Sequence, residues 1–556
     1  MTARAERMAG RDLAWPNVSP VGLVLAGIFF AASLTPALVP RDFVLLGVIG
    51  GVVAAIGHEL GGCVQWLWRL LGMPAGPARW RGRLRLGAAV LALGIGAFGL
   101  TRVTGWQNAT RAVTGVPPVE SAFPLQVAGI ALGVFALLWL LFRGIGWIVR
   151  RVSRLLEGRV PPRVGAILGT ALALGLIWMA LERTALDQAF RAANASFAAA
   201  NALIEPDIPQ PTDPDRAGSP ASLVEWTEMG RRGREFVATA PSAAEIAEFA
   251  GPAAMDPIRV YVGLGAAETA EERAEIALAE LIRVGAFDRA NLIVTVPVGT
   301  GWMDPGAHDT VEFMLGGDVA TVAVQYSYLT SVLSLIDDRS AGVEQARALF
   351  NLVYEHWHNL PRDARPRLYV HGLSQGAYNT ETALPLLDMM GDPIQGALWA
   401  GSPFFSPLWA RVRDGRDPGS PAWRPRWGNG SLARTMNQEG GLEGDFAPWG
   451  PTRLVFLNYG SDPIVLFTFG GAFREPDFLK APRAPDVAPE LRWFPVVTML
   501  QLAVDSALSL KTPRFGHFYV AEDYIDGWAA VVDPAGWSPE RAEALKRIFA
   551  ARPAPF

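Results

Sequence analysis

Long apolar runs are concentrated in the first third of the chain, and beyond them short apolar runs alternate with amphipathic segments. A helix needs about 20 apolar residues to cross roughly 30 Å of hydrocarbon. We predict a membrane span in each of five runs: Pro20–Val39, Phe43–Trp68, Leu86–Leu100, Pro124–Phe142 and Val164–Leu181. The pattern therefore predicts an α-helical transmembrane domain over residues 1–186.

Arginine placement predicts how these spans are oriented. Arginines are frequent before the first span, between the second and third, and between the fourth and fifth, and they are sparse in the other two loops. Short loops rich in Arg and Lys remain cytoplasmic. We therefore expect a multi-pass inner-membrane protein with a cytoplasmic N-terminus, and the chain after Leu181 on the periplasmic side.

The second run contains two ionisable residues, His58 and Glu59. Ionisable groups inside a span are costly to bury, which favours a functional polar site. The segment "GHELGG" lacks the second histidine of an H-E-x-x-H zinc helix. Packing of the pair against other helices is the alternative interpretation.

A linker separates the apolar third from the C-terminal part of the chain. The segment "EPDIPQPTDPDRAGSP" (Glu205–Pro220) is dense in Pro and Asp, which indicates an extended connection, and we place the linker at residues 187–222. The rest of the chain, residues 223–556, is the predicted catalytic domain.

Short apolar runs in that domain predict strands separated by helices. The strand candidates are Ile258–Gly265, Asn291–Gly299, Val319–Ser327, Arg367–Ser374, Gln395–Pro403 and Arg453–Pro463. The helical candidates between them are Thr269–Val284, Thr310–Leu315, Val343–Leu360 and Asn379–Met390. Continuous apolar strands joined by helices indicate a parallel sheet covered on both faces, so we predict a doubly wound α/β domain. The strand signal is weak after Asp462, where Phe494–Leu510 has a helical pattern.

The segment "RLYVHGLSQGAYNTE" carries the pentapeptide Gly372-Leu373-Ser374-Gln375-Gly376. A G-x-S-x-G pattern is short and the chain has 58 glycines, so its context decides. Here it lies between a predicted strand and a predicted helix, as a nucleophile elbow requires. Gly372 and Gly376 let the strand and the helix pass close together, and Ser374 is the predicted nucleophile.

A serine nucleophile of this kind needs an acid and a base that come after it in the order Ser, Asp or Glu, His. His517 is the only histidine after Ser374, which makes it the candidate base. Asp462, in "NYGSDPI" at a predicted strand end, is the candidate acid. The alternatives for the acid are Asp477, Asp486 and Asp505.

An oxyanion also needs two preorganised N–H donors. We expect one from the backbone of Gln375, the residue after the nucleophile. The other is expected from the loop "GTGWMDP", at Thr300 or Gly301, and the loop "GLGAAET" after the first strand is its competitor.

Composition limits the other chemistry. The net charge is −4 and no basic stripe is interleaved with aromatic residues, so no nucleic-acid partner is expected. Cys63 is the single cysteine, which rules out an intrachain disulfide and a cysteine-based metal site. We predict no cofactor and no metal.

Together these segments resemble a bacterial family of membrane-anchored α/β-hydrolases with a multi-span N-terminal domain and a C-terminal catalytic domain. The resemblance is carried by the elbow and by "GTGWMDP", "GGDVATVAVQYSYLTS", "RDPGSPAW", "SDPIV", "RWFPVVT", "GHFY" and "DGWAAVV". It implies an α/β-hydrolase fold with Ser374, Asp462 and His517 as the triad. The elbow departs from the family's more usual G-E-S-L-G at Leu373 and Gln375, which affects the surroundings of the serine.

The function expected from these features is a membrane-anchored serine hydrolase that cleaves an ester. Apolar residues in Gly401–Ala410 and Asp462–Phe473, beside a bilayer partner, favour a lipidic acyl-ester substrate. An acyltransferase would use the same residues with an alcohol in place of water. The alternative from another class is a non-catalytic binding or assembly module in the membrane.

Overall fold

The structure is a computed structural model. It describes residues 18–74, 78–155, 187–331, 338–385, 388–509 and 514–552, with single positions at 333 and 334 and between 164 and 178. The α-helices of the described chain, in order, are α1 (Pro20–Ser33), α2 (Phe43–Leu70), α3 (Arg81–Val113), α4 (Pro124–Leu155), α5 (Asp187–Ala202), α6 (Gly230–Ala238), α7 (Ala243–Ala250), α8 (Ala270–Arg283), α9 (Pro305–Met314), α10 (Ser340–Asn359), α11 (Gln375–Ala383), α12 (Pro407–Asp414), α13 (Pro463–Leu466), α14 (Val497–Leu508), α15 (Ala521–Val532) and α16 (Pro539–Ala550). The strands are β1 (Ile258–Val262), β2 (Asn291–Val296), β3 (Val319–Val324), β4 (Arg367–Leu373), β5 (Gly396–Ala400), β6 (Ala433–Met436) and β7 (Arg453–Leu457).

Three of the described helices, α2, α3 and α4, are long and apolar enough to cross a membrane. The prediction of five spans is therefore supported for three. The first predicted span forms a helix of 14 residues, about 21 Å long at 1.5 Å per residue, which is less than the hydrocarbon thickness. Its apolar run continues to Val39, but the helix ends at Ser33, three residues before Pro36. The fifth predicted span, Val164–Leu181, lies largely outside the described residues.

Helix α1 packs closely on α2 because small residues line their contact. A Cβ placed on Gly61 would lie 2.4 Å from the backbone of Gly22, and one on Gly57 would lie 2.8 Å from the carbonyl oxygen of Leu25. Such contacts are possible only where glycine lets two helix backbones approach each other. The hydroxyl of Ser19 caps α1 and donates to the Gly61 carbonyl.

The chain divides into two compact units that do not follow the sequence in order. The first unit contains residues 1–189 together with 468–479 and 487–508, and the second contains 190–467, 480–486 and 509–556. The domain limits predicted from the sequence remain predictions, because a compact unit is not necessarily an independently folding domain. Two segments from the C-terminal half thus belong with the N-terminal helices.

Within the first unit, α14 packs on the N-terminal helices through apolar side chains. Val497 forms a buried cluster with Phe29, Ala32, Ile49 and Val53 of α1 and α2. The helical pattern predicted over Phe494–Leu510 is confirmed as α14. Its apolar face is covered by helices more than 400 residues earlier in the chain, which is a contact no local pattern can indicate.

A buried ion pair fixes the same contact. The guanidinium of Arg41, from the connection between α1 and α2, donates through Nη2 to Oδ1 of Asp505 at 2.6 Å, and both side chains are fully buried. The backbone N–H of Leu38 donates to the other carboxylate oxygen at 3.2 Å. Because both charges are removed from water, each depends on the other for compensation.

The second unit is built on a seven-stranded sheet with the order β1-β3-β2-β4-β5-β7-β6. Every neighbouring pair of strands is parallel. The interior strands β2 and β3 are buried along their whole length, as expected for a sheet covered on both faces. Parallel pairing puts the carboxyl ends of all seven strands at one edge.

The predicted α/β domain is confirmed with one addition. All six strand candidates form β1 to β5 and β7, and helices occupy the predicted connections. The sequence missed β6, a strand of four residues at the end of the sheet. No strand lies between Asp462 and His517 in the described chain. Around His517 an isolated antiparallel bridge joins Phe515 and Phe518.

We expect Arg41→Met to lower the free energy of unfolding by about 3–5 kcal/mol, because it leaves the Asp505 carboxylate buried without a counter-charge. Denaturant unfolding of the detergent-solubilised full chain measures this loss. The matched control is Arg232→Met, which removes a half-exposed pair with Glu235 and should cost less than about 1 kcal/mol. Equal losses of unfolding free energy in the two variants would show that the Arg41–Asp505 pair is no more important for stability than a half-exposed pair.

Candidate active site

Ser374 occupies the turn between β4 and α11, at the carboxyl edge of the sheet. Its backbone has φ 56° and ψ −121°, a conformation that non-glycine residues rarely adopt. Its N–H donates to the carbonyl of Ala400, the last residue of the neighbouring β5, at 2.9 Å. The strand, sharp turn and helix predicted around this serine are present.

The two glycines of the pentapeptide are required by close backbone approach. A Cβ on Gly376 would lie 2.2 Å from the carbonyl oxygen of Val296, the last residue of β2. A Cβ on Gly372 would lie 2.5 Å from the N–H nitrogen of Ala377 in the helix. Glycines are therefore needed at both positions because the start of α11 lies in close contact with β2 and β4.

His517 and Asp462 are brought together from loops 55 residues apart in the chain. The imidazole Nδ1 lies 2.6 Å from Oδ2 of Asp462, and both side chains are buried. Oδ1 of Asp462 accepts the N–H groups of Ile464 and Val465, so the same carboxylate caps helix α13. A carboxylate oxygen only accepts, so Nδ1 carries the proton and Nε2 of the neutral ring has a free lone pair.

The imidazole lies beside the strand end that also holds Ser374. A Cβ on Gly401 would lie 2.6 Å from Cε1 of His517, and Gly401 follows Ala400, whose carbonyl binds the Ser374 N–H. Nε2 of His517 is buried and has no hydrogen-bond partner among the described residues. The Ser374 N–H and the imidazole are therefore next to two consecutive residues, Ala400 and Gly401, at the end of β5.

Tyr519 is a second side-chain donor to the acid, and the sequence analysis did not single it out. Its hydroxyl donates to Oδ2 of Asp462 at 2.7 Å, beside the imidazole. Burial and the neighbouring Asp462 carboxylate raise the pKa of Tyr519 well above its usual value, so the hydroxyl stays protonated as a donor. The spacing His-x-Tyr in "GHFY" is the signal that would have found it.

The predicted oxyanion donors belong to the turn after β4 and to the loop after β2. The N–H of Gln375 begins α11 and has no acceptor within the helix, as is usual for a first-turn donor. The loop after β2 is adjacent, because β2 pairs directly with β4. In this loop the N–H of Gly301 already donates to the Val298 carbonyl at 2.7 Å, whereas the N–H of Thr300 donates no hydrogen bond within the described chain. The geometry favours Thr300 over Gly301.

The competing loop "GLGAAET" is farther away. It follows β1, and the order β1-β3-β2-β4 separates β1 from β4 by two intervening strands. With about 4.8 Å between neighbouring strands, β1 lies about 14 Å from β4, which carries the serine.

The alternative acids have other surroundings. Asp505 pairs with Arg41 in the first unit. Asp477 is exposed. Asp486 is buried and accepts two hydrogen bonds from Ser461. Asp462 is the carboxylate that contacts His517.

Two histidines that precede the serine are packed in the interior of the second unit. His371, on β4, binds the carbonyl oxygen of Leu398 through Nδ1 at 2.7 Å, and burial lowers its pKa to about 4. The ring of His308 packs edge-on against His371. His371 also packs against Tyr524 and Trp528 of α15, and neither histidine hydrogen-bonds Ser374 or Asp462 in the described chain, in agreement with the chain order that excluded them.

A buried glutamate shapes the loop after β5. Glu381, on α11, accepts the hydroxyl of Ser402 at 2.6 Å and the N–H groups of Leu408 and Trp409 at the start of α12. Burial raises its pKa to about 7. The helix that begins at the serine thus also holds the loop that carries Gly401.

His58 and Glu59 are neighbours in the first unit. His58 is buried on α2, with Nδ1 2.8 Å from Oε1 of Glu59 and its ring edge against Phe135. Within the described residues no group of three or more His, Cys, Asp or Glu side chains is placed to hold a metal ion.

Two family models match the chain. A model described as an alpha/beta-hydrolase family covers residues 258–545, just over half of the chain, from the first residue of β1 into α16. A second, described as the N-terminus of an alpha/beta-hydrolase family, covers residues 34–241. No curated protein and no solved structure matches the chain.

We expect Gly376→Ala to destabilise the second unit, because its Cβ would overlap a backbone oxygen of β2 that cannot move without distorting the sheet. Overpacking of this kind costs about 1–3 kcal/mol. Thermal unfolding of the full chain measures the loss. Gly391→Ala is the control, since no atom lies within 4 Å of its added Cβ, and a loss no larger than in this control would contradict the close approach.

Proposed function

The chain belongs to the alpha/beta-hydrolase family, and from that premise we propose that it is a membrane-anchored serine hydrolase acting on an ester. In this proposal Ser374 is the nucleophile, His517 the general base and acid, and Asp462 the residue that orients the imidazole. The observation that carries it is the presence of a strained serine turn and a buried Asp–His pair at the same edge of the sheet.

Acyl transfer proceeds in two steps. In the first, Nε2 of His517 takes the hydroxyl proton while Oγ of Ser374 attacks the ester carbonyl carbon. The resulting oxyanion collapses, the bond to the alcohol oxygen breaks, and the alcohol leaves with the proton from Nε2. In the second, water gives a proton to Nε2 and attacks the acyl-enzyme, which releases the acid and restores the serine.

The Asp462 carboxylate contributes by stabilising the imidazolium that forms in both steps. Its hydrogen bond also selects the tautomer in which Nε2 accepts a proton. The N–H groups of Gln375 and Thr300 are the proposed donors to the oxyanion. Loss of one such donor typically slows catalysis by about 10²- to 10³-fold.

An aromatic cluster beside the serine supports an apolar acyl group. Tyr378, whose N–H donates to the Ser374 carbonyl, packs edge-on against Phe405 at 4.9 Å between ring centroids. Phe404 lies 5.0 Å from both Phe405 and Phe467. These half-buried rings come from helix α11, from the loop after β5 and from the residue after α13. We propose that they contact the acyl part of a lipidic ester.

The site of action is proposed from the helices and the arginine distribution. The three apolar helices α2, α3 and α4 support membrane association. The arginine pattern favours a cytoplasmic N-terminus and a periplasmic catalytic domain in a bacterial inner membrane. A hydrolase held at that surface meets acyl chains without extracting them into bulk water.

We expect Ser374→Ala to abolish hydrolysis of p-nitrophenyl butyrate by the detergent-solubilised full chain. The expected loss in kcat is about 10⁴- to 10⁶-fold, because the nucleophile, base and acid act as one unit. Release of p-nitrophenol measures the rate. Ser431→Ala, whose hydroxyl donates to Asn429 in a loop before β6, is the matched serine control and should retain full activity. Comparable rates in Ser374→Ala and the wild type would exclude Ser374 as the nucleophile.

The orientation predicts the activity of reporter fusions in a Gram-negative host. Alkaline phosphatase, which is active only in the periplasm, should be active when fused after Ala202 and inactive when fused after Met73, in the arginine-rich loop between α2 and α3. The opposite pattern would reverse the proposed topology.

A further inference from the structure

The turn that presents His517 has an unfavourable backbone conformation. Phe515 and Gly516, the two residues before it, have φ of 66° and 62°. Gly516 adopts this region easily, but a bulky residue such as Phe515 does so only when its surroundings impose it. Within the turn, the N–H of Phe518 donates to the Phe515 carbonyl at 3.2 Å. Outside the turn, the N–H of His517 donates to the Ser509 carbonyl at 3.3 Å, and Gly516 makes a further bond.

Ser461 makes this bond from the loop after β7, which also carries Asp462 and is called the acid loop below. Its hydroxyl accepts the N–H of Gly516 at 2.8 Å. Ser461 precedes Asp462 and Gly516 precedes His517, so this bond joins the two loops one residue before each member of the Asp–His pair. Ser461 is fully buried, and water therefore does not compete for the bond.

Asp486 orients the Ser461 hydroxyl. Its Oδ2 accepts the hydroxyl at 2.7 Å and the backbone N–H of Ser461 at 2.8 Å. With its proton directed at Asp486, the hydroxyl presents a lone pair to Gly516. Asp486 can approach Ser461 this closely because residue 460 is glycine. A Cβ on Gly460 would lie 2.8 Å from Oδ1 of Asp486 and 2.0 Å from Cβ of Ala484.

The carboxylate of Asp486 is costly to keep there. It is 2 % exposed, and both hydrogen bonds that its Oδ2 accepts come from Ser461. Burial raises the pKa of Asp486. A buried carboxyl lowers stability unless its hydrogen bonds compensate for the lost water, and here the bonds at Oδ2 are made with the residue next to Asp462.

We propose that Asp486 and Ser461 are positioning residues for catalysis, which hold the His517 turn in register with Asp462 through the chain Asp486–Ser461–Gly516. The inference rests on the proposed function. Neither side chain contacts Ser374, and both act through the position of the imidazole. Without them Asp462 and His517 remain, but the position of the imidazole relative to the serine is less constrained.

The test compares Asp486→Ala, Asp486→Asn and Ser461→Ala in the full chain, with p-nitrophenyl butyrate as substrate. A fluorophosphonate probe, taken to its labelling end point, counts the active sites in each preparation. We expect kcat per labelled site to fall about 10- to 100-fold in both alanine variants, as for displacement of a catalytic group by about 1 Å. KM should change by less than about threefold, because the substrate contacts are intact.

Asp486→Asn separates positioning from a charge effect and from simple loss of structure. Its amide oxygen still accepts from the Ser461 hydroxyl, so we expect kcat within about threefold of the wild type. A merely structural role would lower the labelled fraction or the melting temperature and leave kcat per labelled site unchanged.

Unchanged kcat per labelled site in Ser461→Ala would overturn the inference, and so would an asparagine variant as slow as the alanine variant. If Asp486→Ala does not yield folded protein, Ser461→Ala decides in the same assay. Failure of the proposed function itself has a different signature, which is equal probe labelling of the wild type and Ser374→Ala.

Discussion

The carboxylate of Asp462 holds together the parts on which the candidate site depends. One oxygen caps helix α13, and the other binds His517 and Tyr519. The sequence "SDPI" specifies this arrangement, since an Asp cap with proline at the first helical position is a strong helix start. Because folding of the acid loop and orientation of the imidazole use the same group, each constrains the other.

The parallel sheet supplies the remaining geometry. Four consecutive strands in space, β2, β4, β5 and β7, end at one edge, within about 14 Å at the usual spacing. Their loops carry the candidate oxyanion donor, the serine, Gly401 and the acid. Residues far apart in sequence are therefore assembled without long side chains, which keeps the loss of conformational entropy small. The turn that carries His517 has no strand of its own, and its position depends on hydrogen bonds from the acid loop.

Sequence patterns predicted the sheet and the order of the candidate residues because both have local signals. Continuous apolar runs mark β1 to β5 and β7, and the strand-to-helix context marks Ser374. Strand β6 was not predicted, because its four residues include Arg434 and form no apolar run. The apolar pattern predicted too long a helix for α1, because the apolar run continues past the residue where the helix ends. Tyr519 and the Asp486–Ser461–Gly516 chain depend on tertiary contacts, which no spacing rule encodes. The helix α14 was predicted, but its packing was not, because its partners, including Arg41, belong to the N-terminal helices and the connection between them.

The proposed chemistry requires that Ser374 is a nucleophile activated by His517. Treatment of the full-length protein with a fluorophosphonate, then digestion and peptide mass spectrometry, tests this requirement at the residue itself. We predict one adduct on the peptide that contains Ser374, formed at least about 10³-fold more slowly in His517→Ala. An adduct on another residue, or labelling of Ser374 at the same rate in His517→Ala, would contradict it.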